Sequence, residues 1–455
     1  MAKPKPGLMD TIVSLCKQRG FVFPASEIYG GIGNTYDYGP LGVELLRHVK
    51  DAWWSRVVTS RDDVVGLDSA IIQNPQTWVT SGHVGGFSDP MVDCKKCKSR
   101  FRADKLEDAR CPEKPSKQPG QCEGELTDPR EFNLMFKTNI GAAESSSTVA
   151  YLRPETAQGI FLNFKNVLES ARIKPPFGIA QIGKSFRNEI TPGNFVFRTR
   201  EFEQAEMEFF VPPAEEQQWY DYWRKARFDW YTDLGIRPEK LRMREHDKSE
   251  LAHYSTATAD IEYEFPFGWG ELEGVACRTD FDLKRHSEAS GKDLVFFDPH
   301  TKEHYTPYVI EPAGGINRMA LTFLIDAYTE EQLEKDTRVV LRFHPEIAPI
   351  TCAIFPLVKK EGMPEKAKEI EKMLGRARIS TFYDEKAAIG RRYRRQDEVG
   401  TPFCVTVDGD TLADDVVTVR HRDSMEQEKV KVSELTTFIL EGMQNWKRPE
   451  PGTRD

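Results

Sequence analysis

The 455-residue chain has no apolar stretch approaching the roughly 20 residues of a membrane-spanning helix, so no membrane partner is expected. Its N-terminus is charged and offers only the short apolar run Thr11–Leu15, too little for the apolar segment of a secretory signal. No internal repeat is present. Basic residues are not in excess: 63 Lys and Arg stand against 72 Asp and Glu, a net charge of -9. That balance excludes broad nonspecific attachment to nucleic acid and leaves room for a local basic footprint. Cysteine is sparse for a secreted disulfide scaffold, eight in all, yet four fall between positions 94 and 122. Such clustering points to metal binding in a reducing, cytoplasmic setting.

What is present suffices for two or three domains with full cores. Pro40 opens a helical pattern carried by Leu41, Leu45, Leu46, Val49, Trp53 and Val57. Residues 90–128 form a Lys-, Cys- and Pro-rich insertion, and 215–234 read as an amphipathic helix with Trp219, Trp223, Phe228 and Trp230. A strand ending in Glu311-Pro312 meets a Gly-rich turn and then a helix from Arg318 to Tyr328. After a Pro-containing linker, His344–Ile350, strands and helices alternate to the end. The division expected is therefore 1–345, with a helical insertion near 212–260, and an α/β domain over 346–455 with a mixed or parallel sheet.

The most informative stretch runs from Phe186 to Phe210. Two extended segments flank the turn signal Thr191-Pro192-Gly193-Asn194. Arg187 and Glu189 share a face going out; Arg198, Arg200, Phe202, Gln204 and Glu206 recur at period two coming back. An aromatic ring between cations and acids could stack a base, hold phosphates and bind an ammonium group. A charged solvent face on an antiparallel hairpin has the same pattern. Gly178–Ser185 also satisfies the G-x4-G-K-S phosphate-loop expression, but Pro175-Pro176 before it and Pro192-Gly193 after it deny the strand–loop–helix context. It reads instead as the outgoing strand.

The order FRNE, loop, R-x-R-E-F resembles motif 2 of the class II aminoacyl-tRNA synthetases, and REFEQAEMEFF resembles the glycyl-tRNA synthetase version. The likeness extends from YDYGPLG (Tyr36–Gly42) to RHRDSMEQEKV. It implies an α/β fold: an antiparallel six- to seven-stranded sheet flanked by helices, the Cys-rich insertion, and a C-terminal anticodon-binding domain. It implies ATP-dependent activation of glycine with Mg²⁺, transfer to tRNA(Gly), and a homodimer built on the helix from Leu41 and the segment from Val64 to Pro75. Such chemistry needs no protein nucleophile; positioning and charge do the catalysis.

In that resemblance Arg187, Glu189 and Arg318 (in EPAGGINR) are the catalytic set. Arg187 meets the α-phosphate and carboxylate, Glu189 and Arg198 serve adenine and the distal phosphates, and Phe202 stacks on adenine. Glu271, Leu272 and Arg278 also match nucleotide positions, as do Asn188, Phe197, Thr199, Arg200, Glu201, Gly315, Ile316 and Asn317. Glycine offers no side chain to grip, so walls of charge that cannot be desolvated cheaply are the better filter. Glu155, Glu206 and Glu311 match that role. Arg102, Phe202, Glu203, Gln204, Ala205, Pro312, Ala313, Gly314 and Gly315 complete the implied glycine pocket. Ala313 stands where many members have Ser, and Asn317 where many have an acid, which puts one glycine contact in question.

Cys94-x2-Cys97 has zinc half-site spacing and, with Cys111 and Cys122, supplies four thiols. A structural zinc with no open position is expected, His83 being a spare ligand; free thiols of a degraded site are the alternative. Residues 376–395 gather Arg376, Arg378, Lys386, Arg391, Arg392, Arg394 and Arg395, which suggests a phosphate-facing surface, against a plain solvated helix face. Tyr393 and Phe382 could stack bases. GRRYRRQDEVGTPFCVTVD resembles the anticodon-binding domain of several class II synthetases, which makes Arg391, Arg392, Arg394 and Arg395 the implied tRNA contacts. Two rivals remain. A synthetase for serine, threonine or proline is opposed by the three glutamates and WGELEG. A noncatalytic polymerase accessory subunit is opposed by Arg187 and Arg318.

Overall fold

The computed structural model describes residues 7–449 except 108, 142–148, 190–192, 253–254, 335 and 361. Pro40 supplies the fixed φ of a first helical turn, and helix α1 (Pro40–Trp54) buries the stripe Leu45, Leu46, Val49 and Trp53. After a wider helical turn comes the short strand β1 (Val64–Gly66). Then follow α2 (Ala157–Leu162), β2 (Phe177–Phe186), β3 (Glu201–Val211), α3 (Glu216–Asp233), β4 (Leu241–Glu245), β5 (Ala257–Phe265), β6 (Gly268–Thr279), α4 (Phe281–Ser290), β7 (Tyr308–Gly315) and α5 (Ile316–Ala327). The strands form one seven-stranded sheet in the order β4-β5-β6-β7-β3-β2-β1. All neighbours are antiparallel except β1, which runs parallel to β2 at the edge. The α/β fold read from the sequence is the one found.

Strand alternation decides what each face does. On β3, Ala205, Met207, Phe209 and Val211 are buried in the main core, where Phe209 packs on Trp219 and Trp223 of α3 with centroids 4.6 and 5.2 Å away. The opposite face carries Phe202, Gln204, Glu206 and Glu208, and ends on Phe210 in a second core with Phe161, Phe164 and Phe177. One strand thus anchors itself with half its residues and presents chemistry with the rest.

Two expectations need correction. Residues 212–260 are not a helical insertion throughout: among the described residues α3 is the one α-helix, flanked by short 3-10 turns at Pro213–Glu215 and Pro238–Lys240, while β4 and the start of β5 extend the sheet. Arg242 and Arg244 on β4 stand opposite Glu262 and Asp260 on β5, a charged face with Leu241 buried behind it. No Gly-rich turn separates β7 from α5 either. Gly315 is itself extended and caps the helix, and a Cβ on Gly314 would lie 2.5 Å from Met319 Cε, so the glycine permits close approach of strand and helix.

The phosphate-loop lookalike is indeed strand β2, and its glycines are packing residues. A Cβ at Gly183 would sit 2.2 Å from Arg153 Nη2, and one at Gly178 2.7 Å from Met207 Sδ. Of the hairpin turn, Thr191 and Pro192 lie outside the described residues; Gly193 bridges to Arg198, and Asn194 and Phe195 take left-handed φ of 57° and 59°. β3 begins only at Glu201, so Arg198 and Arg200 precede the strand and do not share its strict alternation.

Strands Ser88–Asp93, Arg100–Arg102 and Arg130–Asn133 make a small three-stranded sheet that carries the cysteine insertion. Beyond residue 350 lie β8 (Cys352–Pro356), α6 (Met363–Arg376), β9 (Thr381–Tyr383), α7 (Ile389–Asp397), β10 (Phe403–Val407), β11 (Val416–His421), β12 (Gln427–Lys431) and α8 (Leu435–Gln444). They form a mixed sheet, β9-β8-β10-β11-β12, over a separate core. No described helix is long and apolar enough to cross a membrane.

Candidate active site

A cavity of about 360 Å³ opens on the polar face of β3, β6 and β7. Its floor is acidic. Glu206 on β3 stands directly opposite Ala313 on β7, and Glu311 is two residues before it. Oxygens of Glu206, Glu208 and Glu311 converge within 4.8 Å of one another, close enough to hold one cation among them. Glu206 accepts from the Thr156 backbone N–H at 3.0 Å and from its hydroxyl. Glu311 takes Arg278 Nη1 on both oxygens, at 3.0 and 2.9 Å, while Arg278 Nε and Nη2 go to Asp282 at 2.9 and 3.1 Å. Glu155 receives Gln158 Nε2 at 3.0 Å and faces His83 Nε2 at 3.3 Å.

These neighbours set the charges. Burial, then the nearby Glu311 and Glu155, push Glu206 well above the usual carboxylate range. Burial also raises Glu311, against the pull of Arg278. Burial alone would raise Glu155 too, but His83 and then Arg278 hold it well below the usual range. The floor is therefore one firm anion beside a pair that shares a proton until a cation replaces it.

The other end of the cavity is basic and aromatic. The Arg187 guanidinium lies 5.3 Å from the Phe202 ring and 5.4 Å from Phe87, with Nε on the Pro154 carbonyl at 2.9 Å. Arg318 stacks on Phe197 at 4.4 Å, donates Nε to the Phe197 carbonyl, and reaches the Glu271 carbonyl at 3.0 Å. Glu189, Arg198 and Thr199 line the wall between them. Asn317 accepts from the Glu203 N–H at 2.8 Å and donates Nδ2 to the Tyr38 hydroxyl. An amide suits both contacts, accepting through Oδ1 and donating through Nδ2.

Several residues expected in the pocket face elsewhere. Glu203 and Ala205 point to the other side of β3, one paired with Lys50 at 3.0 Å and the other in the core. Leu272 and Ile316 are core side chains, and Pro312 does not line the cavity. Arg200 is spent on the carbonyls of Glu189 and Gly33; Glu201 pairs with Lys184; Asn188 uses its backbone N–H on Leu134. Arg102 is held by Asp89 and Asp104 in the small sheet. Arg278 is enclosed by Glu311 and Asp282, so it braces the floor and does not face a nucleotide. His83 is no spare zinc ligand: it sits against Glu155 between Trp78 and Phe87. Glu155, Arg187, Glu189, Phe197, Arg198, Thr199, Phe202, Gln204, Glu206, Glu271, Glu311, Ala313, Gly314, Gly315, Asn317 and Arg318 do line one cavity. Missed were Thr156, adjacent to Glu155, and Glu208, the next step of the same period-two row.

Comparison with known proteins agrees with this geometry. Residues 351–442 match a family described as an anticodon binding domain. The chain is 56% identical to a glycine–tRNA ligase of Alkaliphilus oremlandii, over 95% of this chain and 98% of the relative. Identity is 56% to that of Bacillus anthracis (96% and 99%) and 55% to that of Treponema denticola (97% and 98%). The chain belongs to the glycine–tRNA ligase family. It is thus an aminoacyl-tRNA synthetase, and the serine, threonine, proline and accessory-subunit readings fall away.

In this glycine–tRNA ligase fold the basic patch is less uniform than its sequence. Arg392 is buried and donates to the carbonyls of Pro356, Asp384 and Leu357, so it cannot meet tRNA and instead ties α7 to the end of β8. Arg391 is exposed, Arg394 lies 3.3 Å from Asp336 and Arg395 2.6 Å from Asp384. Tyr393 is bonded to Thr406 at 2.6 Å under Arg420, which removes it as a stacking platform; Phe382 stays 40% exposed. Cys94, Cys111 and Cys122 are buried in one cluster with Cys97 against it.

Proposed function

We propose that this cavity binds glycine and ATP side by side and joins them. One oxygen of the glycine carboxylate attacks the α-phosphorus, and the bond to pyrophosphate breaks. The terminal ribose hydroxyl of tRNA(Gly) then attacks the glycyl carbonyl, losing its proton as AMP leaves. The observation that carries this reading is the polarity of a single cavity: Glu206 and Glu311 at one end, Arg187, Arg198 and Arg318 at the other.

Each end has a task that follows from charge. The ammonium group replaces the proton shared by Glu206 and Glu311, while Glu155 adds a further anion. Small size at Ala313 and Gly314 leaves room for the glycine backbone, and any side chain would have to desolvate the glutamates around it. Arg187 is the cation of the basic end suited to bridging the carboxylate and the α-phosphate and to stabilising the charge that builds on the phosphorus oxygens. Arg318 on Phe197 is the better stacking pair for adenine than Phe202, which serves Arg187; the base enters when Arg318 lifts from the ring. Phosphates then meet Arg198 and Arg318.

Mg²⁺ suits the nucleotide end, where the half-exposed Glu271 offers a hard oxygen donor. Bound with ATP, the ion would neutralise phosphate charge. Structural zinc suits Cys94, Cys97, Cys111 and Cys122: the donor set is all thiol, the four share one small core, and a Cβ on Gly124 would fall 2.3 Å from Cys94 Sγ and 3.7 Å from Cys122 Sγ, so the backbone wraps the cluster closely. Arg391, with Arg394 and Arg395, is the candidate tRNA contact. A homodimer through α1 and the β1 edge completes the reading, in a cytoplasmic enzyme.

Glycine-dependent exchange of label between pyrophosphate and ATP is the deciding measurement. Exchange with glycine and not with alanine or serine is expected. Exchange with alanine or serine alone would overturn the specificity, and none with any amino acid would overturn the reaction.

A further inference from the structure

One buried acid has no part in the scheme above. Glu208 follows Glu206 on the polar face of β3 and is fully buried. Neither of its oxygens meets a donor among the described residues. The other three glutamates of the floor are each supplied: Glu155 by Gln158 and His83, Glu206 by Thr156, and Glu311 by Arg278. An ionised carboxylate at Glu208 would be buried with no protein donor among the described residues and two acidic neighbours within 4.8 Å, at a cost of several kcal/mol. A carboxyl group that keeps its proton becomes a donor, and the carboxylates it faces, with oxygens within 4.8 Å, are those same two neighbours.

We propose that Glu208 is a positioning residue of the glycine pocket: a buried neutral carboxylic acid whose O–H is given to the Glu206–Glu311 pair and holds that pair toward the incoming ammonium group. This rests on the reading that the pair binds glycine. Charge bookkeeping agrees. Among the described residues Arg278 is the cation paired with this set of Glu206, Glu208, Glu311 and Asp282, so adding one ammonium group still leaves an excess of negative charge that a proton on Glu208 reduces. Glu208 keeps its own proton when the ammonium group displaces the one shared by Glu206 and Glu311, because Thr156 already donates twice to Glu206 while Glu208 has no donor among the described residues. Burial, then Glu311, push Glu208 well above the usual carboxylate range, in the same direction.

The test compares Glu208→Gln, which mimics the neutral acid, with Glu208→Met, which keeps the bulk and removes the donor. E208Q should keep the glycine KM of the exchange reaction within about threefold. E208M should raise it at least tenfold, roughly the worth of one buried hydrogen bond to a charged group, with the KM for ATP unchanged. Independently of activity, the infrared carbonyl band of a neutral carboxylic acid should be present in the wild-type protein and lost in E208Q. Equal loss in E208Q and E208M would mean that an ionised carboxylate is needed, as a ligand for a bound cation, and would overturn the proposal. So would an unchanged glycine KM in E208M, or no difference in the infrared band. Failure of the wild type to exchange with glycine would instead sink the assigned reaction, leaving the infrared comparison as the reading on Glu208.

Discussion

Arg278 grips Glu311 through one nitrogen that reaches both carboxylate oxygens, at 3.0 and 2.9 Å, while its remaining two nitrogens are fixed on Asp282. The fork lies across β6, β7 and α4, and only its far end touches the pocket. Removing the cation from this buried set leaves two acids unpaired, which typically costs about 3–5 kcal/mol. Arg278→Ala should therefore lower the urea midpoint sharply. Arg278→Lys should recover part of that stability and still raise the glycine KM, because an ammonium cannot span both acids. Equal glycine KM in wild type and the Lys variant would contradict the bracing role.

Proton competition at the floor gives a pH dependence. Burial, then Glu311 and Glu155, hold Glu206 above the usual carboxylate range, so the folded protein carries a proton there that the unfolded chain has lost. The groups facing it are Glu311, Glu155, the Thr156 donor and the buried Glu208, with an oxygen within 4.8 Å. A raised pKa stabilises the folded state at low pH, and that contribution fades as pH rises through the raised value. Glycine reverses the trend, since its ammonium replaces the proton. The glycine KM should fall as pH rises through this range, with proton release on binding measurable by calorimetry in two buffers of different ionisation enthalpy. A pH-independent KM would refute it.

How much of this was legible in the sequence depends on whether a residue's role follows from its own strand or from a distant partner. Period two put Phe202, Gln204 and Glu206 on one face of β3, and Glu208 lay open to the same count; Ala205, which the resemblance put in the pocket, turns to the core. The motif resemblance added Glu155, Glu311 and Arg318 from other elements. It could not tell which residues of a contiguous motif turn inward: Glu203 and Arg200 sit within the motif yet serve Lys50 and the Gly33 carbonyl. Nor could spacing reveal that Arg392 is buried among carbonyls, because its neighbours Pro356 and Leu357 are 35 or more positions away. Local alternation was readable; long-range pairing of charges was not.

Gly183 offers a packing test in the phosphate-loop lookalike. A methyl group there would meet the Arg153 guanidinium at 2.2 Å, and that guanidinium is itself fixed by the carbonyls of Lys184 and Ser69. Overpacking of this kind costs about 1–3 kcal/mol. Gly183→Ala should lower the unfolding free energy by that amount, read from the shift in the urea midpoint. Because Gly183 stands opposite Gln204 in the register, a small loss of exchange should accompany it. If the residue instead cradled phosphate, the ATP KM would rise with stability unchanged.

Division of labour between the two domains can be read from three arginines. Arg187→Ala should largely abolish exchange, since it removes the cation between the carboxylate and the α-phosphate. Arg391→Ala should leave exchange intact and weaken charging of tRNA, with a shallower dependence on salt. Arg392→Ala should unfold or destabilise the C-terminal domain by leaving buried carbonyls without donors. Equal loss of exchange in the Arg187 and Arg391 variants would contradict the assignment.

Zinc, finally, should be a matter of stability and not of chemistry. Four thiols leave a tetrahedral ion no open position, and the cluster sits in its own small core, with the small sheet rather than among the pocket residues. Native mass spectrometry should find one zinc per chain. Stripping it with a chelator should expose the thiols to a titrating reagent and lower the melting temperature, because the ion substitutes for a hydrophobic core that the insertion barely has. The glycine KM should remain near its starting value while the rest of the fold holds. A protein that is zinc-free as purified, with thiols slow to react and no change on chelation, would mean that the cysteines act as a small buried core in their own right.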